Sequence, residues 1–554
     1  MIGMITYQLE PLPSLQDFPL EEQTASLKSL LAICQRQQEA LISQAELLSL
    51  QSEQLQQLRD EISRLKGGNQ RPKIKPSNLE QGRKGRGRRG SSGKRGKNKR
   101  QKTRTLEIHH EKVLEPEIIP EGYRFKGYRD YVVQELEIKA NNTLYRRARY
   151  ETKEGAQIIG NLPAGISGHF GPILRAYILD QHYKQHVPQG LILGQLLGFG
   201  IQISEGQINH IITEDHECFH QEKAEILAAG LEVSSYINTD DTGARHKGKN
   251  GYCTHIGNEL FAWFSSTESK SRINFLKLLQ AGSSIYTVDE VSRSYMLAHK
   301  LPKQILDLLA SDITIASEDS WYEHLELIGI ISKSHQRIVS EGALVGTLVN
   351  SGISADLVIV SDDAGQFNVK GFLNALCWIH AERNINKIIP FSDSNREAQE
   401  CVQDQIWTFY NDLKAFKESP DEEQKNALSK RFDGIFTQKT CFQTLNLALN
   451  RIYNNKEELL LVLQRPEIPL HNNLSENDIR DYVKKRKISA NTRSDNGRQA
   501  RDTFLSLKKT CQKLGITFWD YLLDRIGKIG KIPLLSSLIR EAASSCSLSS
   551  FAPG

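Results

Sequence analysis

The sequence predicts a multidomain α/β (α+β) protein in which a mixed sheet carries packed helices and is preceded by a long amphipathic helix and a helical block. Three observations carry that expectation. Apolar residues recur every seven positions at Leu20, Leu27, Cys34, Leu41, Leu48, Leu55 and Ile62, the repeat of a coiled-coil seam. From about residue 231, EVSSYIN, NGYCTHIG and LFAWFSST are short stretches separated by Gly- and Asn-bearing turns, the punctuation of strands. ADLVIV at 355–360 is a continuous run of apolar β-formers, which suits a central strand covered on both faces. Strands, then a helix (SRINFLKLL), then a buried strand is the order of a mixed sheet with helices against it.

Composition sets the bounds. The 554 residues leave room for several domains of roughly 100–200 residues each, and a hydrophobic content of 39% leaves part of the chain outside any core. The apolar run LLLVL at 459–463 falls far short of the ~20 residues that span a membrane. MIGMITYQLEPLPS has no basic segment followed by an apolar one, so no secretory signal is expected. A cytoplasmic, nucleoid-associated protein without membrane partners follows as the expectation. Eight scattered cysteines without a C-x-x-C pair read as reduced thiols rather than a disulfide framework or zinc ribbon. Cys377 and His380 in ALCWIH have metal-ligand spacing but no second pair, so a strand-to-helix core segment is expected there, and no structural zinc.

The heptads place an oligomerisation helix at 20–66, imperfect because Gln37, Gln44 and Gln51 interrupt the companion seam of Leu30, Leu58 and Leu65, and self-association is expected. Residues 67–104 read as a disordered basic linker. Fifteen Lys or Arg against one Glu over 71–104 give +14 in a chain whose total is +5. Such a segment cannot fold alone and suits phosphate binding by counterion release, with Arg83, Arg86, Arg88 and Arg89 as DNA-binding candidates. A solubilising linker or an RNA-binding tail is the alternative. Pro, Gly and aromatic residues over 105–165 suggest a small β-rich module. Over 166–225, HFGPILRAYILDQHY, then Pro188 opening QGLILGQLLG, a GFG turn, and Ser204 with Gln207 opening EGQINHIIT give helix start and stop signals. Two helices about a Gly turn resemble a helix-turn-helix, but the second has no Lys or Arg to read bases, so plain packing stands beside that reading. The sheet domain is expected over 231–527, with helical insertions near 282–353 and 391–468, and 528–554 as a C-terminal tail.

Candidate strands end in aspartates, Asp240 and Asp241 after the first, Asp362 and Asp363 after the buried one. Asp is a common turn former, so each pair alone says little. In HNNLSENDIRDYVKKRKI, residues 471–488, Glu476 has two readings. Asn473 could cap a helix whose third position is Glu476, a capping box. Alternatively, Ile479 and Val483 lie three and seven residues on, which puts the carboxylate on the core-facing stripe of its helix. Carboxylates from two strand ends and a core-facing helix would raise one another's pKa unless a hard divalent cation with oxygen ligands sits among them. Glu476 then becomes a metal ligand or the partner of one.

INTDDTGARHKGKNGY, VIVSDDAGQF with ALCWIHAERNI, and HNNLSENDIRDYVKKRKISANTRSDNGRQARDTFLSL together resemble the bacterial insertion-sequence DDE transposases of the IS-sixty-six group, over roughly 165–527. The resemblance implies an RNase H-like catalytic domain in which Asp240, Asp362 and Glu476 hold two Mg²⁺ (or Mn²⁺) ions. It also implies cleavage at the ends of a DNA element and joining of the freed 3′ hydroxyl to target DNA by two-metal phosphoryl transfer. Asp241 and Asp363 would be neighbours of the ligands. Lys484, Lys485, Arg486, Lys487, Arg493 and Arg498 would contact DNA phosphates, although cations at a helix end also suit its dipole. His380, Arg383, His471, Asn472 and Asn473 are candidates to support the site. DNA, in the form of terminal repeats and target, a second copy of the chain, and accessory transposition proteins are the expected partners. The chain departs from the group in the 122 residues between Asp240 and Asp362 and in lacking any cysteine over 105–165.

Two rivals remain at this stage. Asp241-Thr242-Gly243-Ala244 matches the D-T-G-A signature of dimeric aspartic proteases, which pair two carboxylates across one proton, with LIGII at 327–331 as the accompanying apolar segment. A catalytically inactive DNA-binding or bridging protein is the other.

Overall fold

The computed structural model describes residues 33–34, 36–37, 106–116, 122 and 124–549, without 154, 167 and 311, and side chains to 545. The chain divides into two compact units, 1–135 and 136–554. The heptad segment and the basic linker with Arg83, Arg86, Arg88 and Arg89 lie outside the described residues, apart from Ile33, Cys34, Arg36 and Gln37, which are helical.

The second unit opens with a hairpin of β1 (Arg149–Glu151) and β2 (Gln157–Ile159). It is the whole regular structure of 105–165 among the described residues, so the β-rich module expected there shrinks to one ribbon. Phe125, Tyr128, Tyr131, Tyr150 and Ile158 are exposed, and strand-forming side chains without a face to pack on do not build a sheet. Four helices follow: α1 (Pro172–Leu179) running into a π-helical turn at Asp180–Lys184, α2 (Gln189–Gly198), α3 (Glu205–Thr213) and α4 (Glu217–Val233). Ser204 caps α3, its hydroxyl accepting from the Gln207 amide at 3.2 Å. Ile208, Ile211 and Ile212 turn the inner face of α3 into the core.

The main sheet begins as a meander of β3 (Tyr236–His246), β4 (Lys249–Gly257) and β5 (Ala262–Thr267), followed by α5 (Arg272–Leu279). The insertion at 282–353 is not wholly helical. It contains β6 (Tyr286–Val288), α6 (Glu290–Ala298), β7 (Ile313–Ile315), α7 (Glu318–Leu327) and α8 (Lys333–Asn350), with β6 and β7 paired antiparallel. Any side chain at Gly342 or Gly346 would collide with the Ser292 or Thr287 carbonyl, so small residues let α8 close onto α6 and β6. The chain returns to the sheet through β8 (Val358–Ser361) and β9 (Leu373–Leu376), giving the order β5-β4-β3-β8-β9 with β8 and β9 parallel to β3. Val358, Ile359 and Val360 are fully buried, as the continuous apolar run requires.

After β9 come α9 (Trp378–Asn386) and the second insertion, helical as expected: α10 (Asp393–Glu418), α11 (Glu422–Phe436) and α12 (Gln443–Asn454). Then α13 (Asn473–Ser489), the short β10 (Asn491–Thr492) alongside the far end of β3, α14 (Asp495–Lys513), α15 (Phe518–Gly527) and α16 (Leu535–Ser549) complete the unit. An open edge strand exposes unpaired amides, and α14 closes that of β5 with a stripe four residues apart. Thr510, Ser506 and Asp502 side chains accept from the amides of Ala262, Phe264 and Ser266 at 3.2, 2.9 and 2.7 Å. The segment expected as a tail is instead helix α16. Leu535 and Ile539 are fully buried in the core, and the Leu535 amide donates to Glu222 of α4 at 3.0 Å.

Candidate active site

Successive strand residues face opposite sides of a sheet, so Asp240 and Asp241 part company on β3. Asn238 shares the Asp240 face and donates to Asn472, just before α13, at 2.9 Å. His255, opposite Asp240 on β4, contacts Ser475 and Asp478 of α13 at 2.5 and 3.3 Å. Asp240 therefore faces α13. Asp241 faces the other way, where Gln366 donates to it and Lys270 lies 3.8 Å off. Asn238 pairs with Val360 in the parallel register of β3 and β8. The ladder ends there, and Asp362 follows β8 two residues beyond Val360 as Asp240 lies two beyond Asn238, near enough for its charge to act on Asp240.

Glu476 comes to the same face from α13. The capping-box reading fails: α13 starts at Asn473, the residue before it is Asn472, and no side chain caps it. The Glu476 carboxylate instead meets Arg383 at 3.3 Å, His380 at 3.8 Å and Arg480 at 3.9 Å, while Ile479 is buried one turn on. Asn472 is fully buried and fixes this end of the helix. Its amide side chain donates to the Thr239 carbonyl at 2.7 Å and its backbone amide points at the Cys377 sulfur at 3.2 Å. One residue thus ties together the strand of Asp240, the helix of Glu476 and the start of α9, which carries His380 and Arg383. His471 is half-buried, and burial is the main cause that lowers its pKa from the ordinary imidazole value. Asn473 is the first residue of the helix.

The electrostatics agree with the placement. Burial, then the charges of Asp362, Asp241 and Glu476, push the Asp240 carboxyl up to about 7. Burial lowers His380, against the pull of Asp362 and Glu476. Asp363 sits apart, paired with Arg451 at 3.0 Å. A carboxyl raised by burial and by the carboxylates beside it, as Asp240 is, is the donor chemistry of a hard divalent cation. Among the described residues no three His, Cys, Asp or Glu side chains stand together at ligand spacing.

The basic run divides. Lys484 and Lys487 are exposed, as is Arg493, and Arg498 pairs with Asp495 at 3.3 Å. Arg486 donates to the Gly243 carbonyl and to Thr242 at 3.2 Å. Lys485 departs from the expected phosphate clamp: it is 5% exposed and donates to the His182 carbonyl of the π-helical turn at 2.8 Å. A helix turns about 100° per residue, so four consecutive cations cannot all face solvent. The D-T-G-A protease reading is overturned by position, since Asp241 to Ala244 lie inside β3, paired residue by residue with β4, in a chain dominated by helices. Sequence reasoning missed Asn238, His255 and Gln366, which sit 125 or more residues in sequence from the partners they meet, and Lys270, which reaches Asp241 from beyond β5; none leaves a local pattern.

The family described as Transposase IS66 family matches residues 344–500, the stretch holding Asp362 and Glu476. The chain belongs to the IS66 transposase family. A protein of Sinorhizobium fredii (strain NBRC 101917 / NGR234), described as uncharacterized protein y4jO, is 41% identical over 323 residues, 57% of the present chain and 100% of that protein. The transposase is accordingly an enzyme that acts on nucleic acid, with a mixed sheet flanked by helices. No helix among its described residues is long and apolar enough to cross a membrane.

Proposed function

We propose that the transposase cleaves the ends of an insertion sequence and joins them to target DNA at an RNase H-like core, with Asp240, Asp362 and Glu476 as its DDE residues. One observation supports this reading above others: β3 and β8 run parallel with Asn238 opposite Val360, two residues short of Asp240 and Asp362, and Asn472 ties the helix of Glu476 to Asn238 and Thr239. The strand order, with three antiparallel strands and then two parallel ones, supports the core assignment. The three carboxylates would hold two Mg²⁺ or Mn²⁺ ions, which when bound activate an attacking oxygen and stabilise a leaving one.

The chain's own residues do the rest. Arg383 and Arg480 lie beside Glu476 at 3.3 and 3.9 Å, and Arg383 would offer phosphate a bidentate donor at the edge of the site. Lys484, Lys487, Arg493 and Arg498 position the DNA backbone, which fixes register without reading sequence. Hydrolysis of one phosphodiester at the element's end leaves a 3′ hydroxyl. That hydroxyl displaces the 3′ oxygen of a target phosphodiester, one P–O bond forming for each one broken. Synapsis of two ends calls for at least two copies, and the heptad segment at 20–66 is the proposed pairing helix.

Single-turnover cleavage of an end-labelled duplex carrying the element's terminal repeat tests this, with wild type and Glu476→Gln compared in Mg²⁺, Mn²⁺ or EDTA. The expected result is metal-dependent nicking in the wild type, lost in the variant with DNA binding retained. Binding without cleavage by either protein would move the DNA-bridging reading to the front, and equal cleavage by both would remove Glu476 from the site.

A further inference from the structure

We propose that the tip of the β3–β4 hairpin, together with β10, is a second surface for the phosphate backbone of duplex DNA, set along the same strand as the cleavage site. The inference rests on the reading of this chain as a DNA-cleaving transposase and adds to it a footprint. β3 and β4 are joined by a tight turn at Lys247 and Gly248, both in the left-handed region with φ of 48° and 78°, the geometry of a type I′ hairpin. The turn projects Arg245, Lys247 and Lys249, all exposed. β10 runs parallel to this tip, with Asn491 opposite Arg245 and Thr492 opposite His246, and the Lys247 amide donates to the Thr492 carbonyl at 2.8 Å. That pairing brings exposed Arg493 to the same place. Arg486 reaches it from α13 through the Gly243 carbonyl.

The cations therefore converge from three elements far apart in sequence. The carboxylate bonded into the patch is Asp495, which holds Lys247 at 2.6 Å, His246 at 3.0 Å and Arg498 at 3.3 Å. It splays across several cations and leaves Lys249 and Arg493 without an ion-pair partner among the described residues. A rigid hairpin held by a third strand presents its charges at fixed spacing, which suits a regular phosphate lattice better than a flexible acidic peptide. Five residues separate Asp240 from Arg245 on one extended strand, a span of about 17 Å. At ~3.4 Å per nucleotide step the tip meets the backbone about five base pairs from the bond being cut.

The test is the salt dependence of binding by the full chain to a fluorescently labelled duplex carrying the terminal repeat, measured in EDTA so that no cleavage is read. One variant combines Arg245→Ala, Lys247→Asn and Lys249→Ala, with Asn chosen because it tolerates the left-handed turn. A control removes three exposed cations of the insertion, Lys303→Ala, Lys333→Ala and Arg337→Ala. A third variant, Arg245→Lys, Lys247→Arg and Lys249→Arg, keeps the charges. The slope of log K against log salt should shrink by about 2 to 3 in the first variant and stay at the wild-type value in the other two. Equal slopes in the first variant and the control, or a charge-keeping variant as weak as the first, would overturn the proposal. Because binding is read without metal, its failure is distinct from that of the catalytic reading, which stands or falls on metal-dependent nicking.

Discussion

Two sets of carboxylates lie on and around α13, and the protein treats them in opposite ways. Asp478 and Asp481 face α14 and β4. Lys509 and Lys513 lie 3.4 and 3.0 Å from Asp478, with His255 at 3.3 Å, and Lys508 and Lys509 lie 3.1 and 3.0 Å from Asp481. Against the upward push of burial, these cations hold both carboxyls well below the usual range. Asp240, whose face α13 also covers, receives the reverse: burial and Asp362 raise it to about 7. The first set is compensated within the chain and fastens helices. Asp240 has no cation bonded to it among the described residues, the arrangement that the proposed metal would complete. The same residue type thus separates into structure and chemistry by its partners alone.

The comparison can be broken in several ways. The largest effect is expected in cleavage: Asp362→Asn should slow strand nicking on the order of 10³-fold, about 4 kcal/mol of barrier, while its unfolding free energy stays within about 1 kcal/mol of wild type. Asp478→Ala should do the opposite first. It removes the carboxylate that faces His255, Lys513 and buried Lys509 and should cost about 3 kcal/mol of stability in chemical denaturation. Asn472→Ala lies between the two regions. Losing its bonds to Asn238 and Thr239 should cost about 1–3 kcal/mol and slow nicking as well, whereas a purely structural residue would leave the rate of the folded fraction unchanged.

The smallest effect concerns Lys485. Burial, then Arg501 and Lys508, lower its pKa to about 7 from an ordinary 10.5. Above pH 7 the folded chain has released a proton that the unfolded chain still binds, so stability should rise from about pH 7 toward pH 10, by up to about 2 kcal/mol. Lys485→Met should flatten that rise in urea denaturation followed at several pH values.

Much of this site was legible because its signals are local. Periodicity placed Glu476 on the inner stripe with Ile479, and the apolar run at 355–360 marked the central strand that delivers Asp362. Ser204 announced its own helix. Other features depend on partners distant in sequence. The Asn238–Asn472 bond joins residues 234 apart. The polar stripe Asp502, Ser506 and Thr510 reads as a surface face until β5 is known to lie against it. The alternation of Asp240 and Asp241 could be written down from sequence, but which of them faces α13 required the contacts of Asn238 and His255. Helix α16 is a different lesson, since the four-residue spacing of Leu535 and Ile539 is a weak helical signal until the core that buries them is known.

Direct Mn²⁺ binding to the full chain, followed by the loss of the free-ion signal in electron paramagnetic resonance, tests the central contrast most directly. Wild type and Asp481→Asn should bind alike, while Asp240→Asn and Asp362→Asn should each weaken binding at least about ten-fold, about 1.4 kcal/mol. Equal binding by all four proteins, or a loss confined to Asp481→Asn, would contradict the assignment of the uncompensated carboxylates to the metal.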